Sequence, residues 1–232
     1  MKTLGMLGGT GPESTVEYYR RLIAAYQKRD PQGRAPSLII NSIDNKKLIA
    51  AFTANQLDVA ADYLVAELDR LAAAGADFAL MSANTPHIVF DQVQQRVRIP
   101  LLSIVDATAD AAVAAGVQKP ALFGTRFTMQ AALFPECFAR RGMALVVPND
   151  GEQQFIHAKY MGELFVGTIL DETRAALTEI VEAMKARDAI DALILGGTEL
   201  SLIFREPTVA GLPVLDTTQI HVDAAVERML RD

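Results

Sequence analysis

Two apolar runs of this chain end in small polar residues that can grip a ligand. Asp77-Phe-Ala-Leu-Met-Ser-Ala-Asn84-Thr85 is one, and Asp191-Ala-Leu-Ile-Leu-Gly-Gly197-Thr198-Glu199 is the other, about 114 positions later. An amide, two hydroxyls and a carboxylate at strand ends can hold a small carboxylate and orient it. Gly8-Gly9-Thr10-Gly11-Pro12-Glu13-Ser14 follows a third apolar run and opens a helix. Glycines there free backbone N–H groups to face an anion at the positive end of that helix. Gly124-Thr125-Arg126-Phe127-Thr128 follows a fourth run in the same manner. The glycine loop is not a Walker loop, because no Gly-Lys-Ser/Thr follows. It also fails the dinucleotide fingerprint, because Ser14 stands where the third glycine belongs.

Each of these residues has a plainer use. Asn84 and Thr85 could cap the next helix, and so could Thr125 and Thr128. His87 reads as a packed or surface histidine, and His221 as a helix-face residue. Cys137 falls within a helix starting near Met129 and reads as structural. His157 and Lys159 precede Glu163 in a segment that either lines a cleft or forms a salt-bridged surface. Three histidines and one cysteine, widely scattered, have no metal-ligand spacing, so no metal site is expected.

The elements that must position these groups alternate strand and helix, which predicts βαβ units and mostly parallel sheets. Strands are expected at residues 3–7, 37–41, 78–81, 101–104, 121–123, 143–147, 193–195 and 214–215. Helices are expected at 13–28, 56–74, 107–115, 172–186 and 219–230. Further pairs share nearly the same offset: Ile99-Pro100-Leu-Leu102 matches Leu212-Pro213-Val-Leu215, and Asp110-Ala-Ala-Val113 matches Asp223-Ala-Ala-Val226. The chain therefore reads as two copies of one α/β unit. The expected domains are residues 1–116 and 117–216, with a C-terminal helix at 217–232 packing back on the first. A ligand cleft is expected between them.

Composition bounds the partners. Half of the 232 residues are hydrophobic and 22% are charged, as in a soluble globular chain. No apolar run nears the roughly 18–20 residues of a membrane span. Met1-Lys-Thr-Leu-Gly-Met passes straight into a glycine turn, so no signal peptide is expected. A single cysteine suits a reducing cytoplasm. The net charge of −6 argues against nucleic acid as a partner. An anionic ligand would have to be held by backbone N–H groups, helix N-termini and hydroxyls rather than by bulk positive charge.

Taken together, residues 5–15, Asn84-Thr85-Pro86-His87, Gly124-Thr125-Arg126-Phe127-Thr128-Met129 and Gly197-Thr198-Glu199-Leu200 resemble the aspartate/glutamate racemase family. The resemblance runs through nearly the whole chain in order. It implies two pseudo-symmetric α/β domains, a cofactor-independent amino-acid racemase (no pyridoxal phosphate), a small amino acid or carboxylate ligand, and a homodimer. It further implies that Gly9, Thr10, Gly11, Asn84, Thr85, Thr125, Thr198 and Glu199 bind that ligand. In the family a cysteine stands before the Asn-Thr pair and another before the Thr-Glu pair, each serving one face of the α-carbon. Some relatives carry threonine at the first position. Here those positions are Ala83 and Gly197, and neither can carry a proton.

A positioned base contributes about 10²–10⁴-fold to proton abstraction, so losing both thiols bears on the mechanism. Three readings stay open. An enzyme could use another acid/base set, with Asp44, His157, Lys159 and Glu199 as candidates, for racemisation or for a related isomerase, lyase or decarboxylase reaction. A binding protein could keep the carboxylate nests without the chemistry. A pseudoenzyme could work by oligomerisation alone.

Overall fold

The computed structural model describes residues 1–231. The expected closing helix was drawn to residue 232, and Asp232 lies outside the described residues. Along the chain the elements are β1 (Leu4–Gly8), α1 (Pro12–Arg29), β2 (Leu38–Ser42), α2 (Asn45–Thr53), α3 (Leu57–Ala73), β3 (Phe78–Met81), α4 (Phe90–Gln94), β4 (Leu101–Leu102) and α5 (Ile104–Ala114). Then come β5 (Pro120–Gly124), α6 (Arg126–Gln130), α7 (Leu133–Ala139), α8 (Asp150–Gly162), α9 (Asp171–Asp188), β6 (Ala192–Gly196), α10 (Leu200–Ile203), β7 (Thr208–Val209), β8 (Leu212–Asp216) and α11 (Thr217–Leu230). The chain forms two compact units. One holds Met1–Ile104 and the chain from His221 onward; the other holds Val105–Ile220.

The first unit is built on a parallel sheet in the order β2-β1-β3-β4. Every residue of β1 and β3 is buried, as expected of inner strands covered on both faces. Leu4, Met6, Phe78 and Leu80 pack with Tyr18, Leu22 and Tyr26 of α1 and with Val222, Val226 and Met229 of α11. Burying such side chains is worth about 1.5–3 kcal/mol each, which holds α1 and α11 on the sheet.

The second unit is built in the order β5-β6-β8-β7, with β7 antiparallel at the edge. β5 and β6 are wholly buried, and Phe123, Leu193 and Leu195 pack with Ile156, Tyr160, Leu177 and Val181. The repeat seen in sequence has a structural counterpart at the strand starts. Asp77 accepts the N–H of Thr3 at 2.6 Å, just ahead of β1. Its partner in the repeat, Asp191, accepts the N–H groups of Gln118 and Lys119 at 2.6 and 2.9 Å, just ahead of β5.

Two expectations need correction. Residues 143–147 do not form a strand; a single bridge joins Val146 to Ala121, through Leu122 N to Val146 O and Val146 N to Pro120 O. This segment takes the place beside β5 that β2 takes beside β1, but Pro148 has no N–H and Asn149 already caps α8, so the pairing stops. The helix expected to run from Met129 through Cys137 is two helices, with an extended Ala131 between them. Pro135 sits in the first turn of α7, where its ring is tolerated. A continuous helix would drive that ring into the carbonyl of Ala131.

Candidate active site

In the first unit the loops after β1 and β3 are tied together. Gly9 has φ +81°, and a Cβ there would lie 2.5 Å from the amide nitrogen of Ile43. Only glycine permits that left-handed turn and close approach. The Gly9 N–H donates to Thr15 Oγ1 at 2.8 Å, so this N–H is spent inside the loop and does not face outward as the sequence suggested. Ser14 Oγ donates to the Ser82 carbonyl at 2.7 Å, and Ser82 Oγ donates to that of Leu7 at 3.0 Å. Asn45 Nδ2 donates to the Thr10 carbonyl at 2.8 Å. Thr10 is 9% exposed, and among the described residues its hydroxyl has no hydrogen-bond partner. No side chain caps α1 at Gly11, which leaves the start of that helix able to receive an anion.

After β3, Asn84 is buried and makes no side-chain cap for the 3₁₀ turn Thr85–Val89, so the capping use does not apply to it. His87 is fully buried. Its Nε2 accepts the Ile104 N–H at 3.2 Å, so its Nδ1 carries the proton donated to the Ala83 carbonyl at 2.9 Å. This neutral ring positions the loop and is not poised as a base. His221 lies inside the first unit rather than on an open helix face. It accepts from Tyr18 Oη at Nδ1 (3.0 Å) and donates from Nε2 to the Leu102 carbonyl (3.1 Å). Asp44, a sequence candidate for acid/base work, is exposed and caps α2 by accepting the Lys46 N–H at 3.0 Å.

In the second unit a helix reaches the strand-end loops. α8 starts with a reciprocal capping box: Asn149 accepts from Glu152 N at 3.0 Å, and Glu152 accepts from Asn149 N at 2.8 Å. Its buried positions Gln153, Ile156 and Tyr160 recur at spacings of three and four. His157, one residue round, accepts the Arg126 N–H at 3.2 Å at the loop after β5. Burial and the neighbouring Arg126 charge lower its pKa, which keeps it neutral. Lys159 points the other way and pairs with Glu163, whose pKa is held down by Lys159 and by the Thr173 hydroxyl. Thr125 caps α6 by accepting from Thr128 N at 3.3 Å.

Tyr160 is the residue that sequence reasoning missed. Its phenol donates to Glu199 Oε2 after β6, and Thr198 Oγ1 donates to the same oxygen at 2.6 Å. Tyr160, Thr198 and Glu199 are 5%, 5% and 4% exposed, so the group is nearly dry. Burial first, and then the charge of Glu199, hold the phenol well above its ordinary pKa. A Cβ at Gly197 would lie 2.5 Å from both Cε2 and Oη of Tyr160. The phenol thus occupies the space where a side chain at position 197 would begin. No local sequence signal links Tyr160 to Gly197.

Cys137 is the chain's single cysteine. It is buried in α7 against Asp106 and Arg141, and burial pushes its pKa up to about 11. Among the described residues no three His, Cys, Asp or Glu side chains gather as a metal ligand set. No described helix is long and apolar enough to cross a membrane.

Residues 7–225 match the family described as Asp/Glu/Hydantoin racemase. The broad specificity amino-acid racemase RacX of Bacillus subtilis (strain 168) is 22% identical over 98% of this chain and 98% of its own length. The structure of an aspartate racemase homologue from Pyrococcus horikoshii OT3 is 32% identical, covers 100% of both chains and superposes with a TM-score of 0.87. The aspartate racemase of Picrophilus torridus, at 22% identity, shares the fold with a TM-score of 0.77, covering 99% of this chain and 94% of its own.

Proposed function

We propose, from the fact that this chain belongs to the Asp/Glu/Hydantoin racemase family, that it is an isomerase-class enzyme that loosens the α-proton of a small amino acid. The observation that carries this reading is the pair of buried polar clusters at the carboxyl ends of β1, β3 and β6. One has an unpartnered Thr10 hydroxyl beside the uncapped start of α1; the other has Glu199 held by two hydroxyls. Ligands of parallel α/β sheets bind at strand carboxyl ends, and both clusters lie there. In this reading Thr10, Gly11, Asn84 and Thr85 are the first unit's binding groups for the substrate carboxylate, and Thr125 and Thr198 are the second unit's ligand-binding hydroxyls. The start of α1 stabilises negative charge as it develops on that carboxylate.

The test is α-proton exchange. Purified protein in D₂O is incubated with each common amino acid, the α-proton signal is followed by NMR, and ligands are screened in parallel by thermal shift. At least one amino acid should raise the melting temperature and lose its α-proton. A ligand that stabilises without exchange would reduce the protein to a binder. If none stabilises and none exchanges, the reading is wrong.

A further inference from the structure

We propose that Tyr160 is a catalytic residue and replaces the thiol absent at position 197, as a hydroxyl relay between the substrate α-carbon and Glu199. This rests on the α-proton reading above and goes beyond it by naming the group that moves the proton.

Four observations carry it. The Tyr160 hydroxyl lies 2.5 Å from where a Cβ at residue 197 would stand, so its oxygen fills space that a side chain at that position would enter. The phenol donates to Glu199 Oε2, so an acceptor for its proton is already in contact. Thr198 Oγ1 donates to that same oxygen at 2.6 Å, fixing the carboxylate so that its lone pair faces the phenol. All three side chains are 4–5% exposed, which keeps bulk water from competing with the transfer.

The step balances without any added reactant. The α-C–H bond breaks and its proton bonds to the phenol oxygen, while the phenol's own proton passes to Glu199 Oε2. The electron pair stays on the α-carbon and is delocalised into the substrate carboxylate. Reprotonation runs the same path backwards after the protons held by the phenol and Glu199 have exchanged with solvent, which is how deuterium reaches the α-carbon. The phenol is neutral before and after the transfer. The upward pressure on its pKa from burial and from Glu199 therefore favours a relay over a free phenolate base. Glu199 acts through Tyr160 and is a positioning residue and proton store in this scheme.

Tyr160→Phe keeps the ring that fills the slot and removes only the hydroxyl. Its α-proton exchange in D₂O should fall by roughly 10²-fold or more while ligand-induced thermal shift persists. Glu199→Gln keeps a hydrogen-bond acceptor and removes the proton store; kcat for exchange should fall similarly, with KM changed little. If wild type exchanges and Tyr160→Phe exchanges at the same rate, Tyr160 is only a plug and the relay is overturned, while the functional reading stands. If wild type exchanges no amino acid, both fall. Should Tyr160→Phe not fold, Glu199→Gln decides alone: wild-type exchange in that variant overturns the relay.

Discussion

Position 197 and Tyr160 form a size-matched pair. A methyl group at 197 would lie 2.5 Å from Cε2 and Oη of a ring that is itself nearly dry and hydrogen-bonded, so the ring cannot swing aside cheaply. Gly197→Ala is therefore expected to destabilise by about 1–3 kcal/mol through overpacking. In a Tyr160→Ala background the same substitution should cost almost nothing, giving a large coupling energy in a urea-unfolding double-mutant cycle. Equal costs in both backgrounds would show that the two sites do not compete for space. The same geometry means that Gly197→Cys would crowd the Tyr160 ring in the same way. Ala83 and Gly197 stand at matching places in the two strand-end motifs, and that correspondence was legible in the sequence. The residue that fills the space at Gly197 was not. Tyr160 lies 37 positions earlier on another element, and no local pattern links a helical tyrosine to a distant glycine.

Among elements, α8 decides how the second unit's loops are dressed, since it brings His157 to the loop after β5 and Tyr160 to the loop after β6. Its start depends on Asn149. Asn149→Ala removes half of the capping box and should cost about 1 kcal/mol in urea unfolding, with a parallel loss of exchange if α8 frays from the loops. A stability change within error would mean that packing at Gln153, Ile156 and Tyr160 fixes the helix alone. α8 was readable in principle from Asn149 and Glu152, yet its weak amphipathicity hid it. The fully apolar strands β3, β5 and β6 and the long helices α1, α3 and α9 declared themselves by composition, period and glycine stops. α11 makes a prediction of its own, because it buries His221. Burial and the neighbouring His87 lower its pKa from an ordinary 6.5 to about 3, so the folded state holds it neutral. The unfolded chain takes up that proton below about 6.5. The stabilising contribution is thus complete above that pH and is lost as pH falls through 6.5 toward 3. Each pH unit in that window is worth about 1.4 kcal/mol for one proton. Urea unfolding from pH 7 to 4 should lose stability more steeply in wild type than in His221→Gln by that one-proton slope. Parallel slopes would show that His221 is not the acid-labile group.

Across the whole molecule, the repeat is closest in its frame and departs most in its chemistry. Asp77 and Asp191 hold equivalent N–H groups ahead of β1 and β5, and β1-β3-β4 is answered by β5-β6-β8. At the two strand-end positions that the repeat matches, the units differ. The second has Gly197 with a phenol in its place; the first has Ala83, whose carbonyl is engaged by a neutral His87. Racemisation needs a proton removed from one face of the α-carbon and another delivered to the opposite face. A chain with one carrier can remove and return a proton on one face more readily than it can invert. A positioned acid or base contributes about 10²–10⁴-fold, so in D₂O one enantiomer should exchange its α-proton by roughly 10²-fold faster than it changes configuration. Following exchange by NMR and inversion by chiral chromatography on the same samples measures this ratio. Equal rates of exchange and inversion in the unmodified protein would mean that a second proton carrier is at work, and that Tyr160 alone does not govern the stereochemistry.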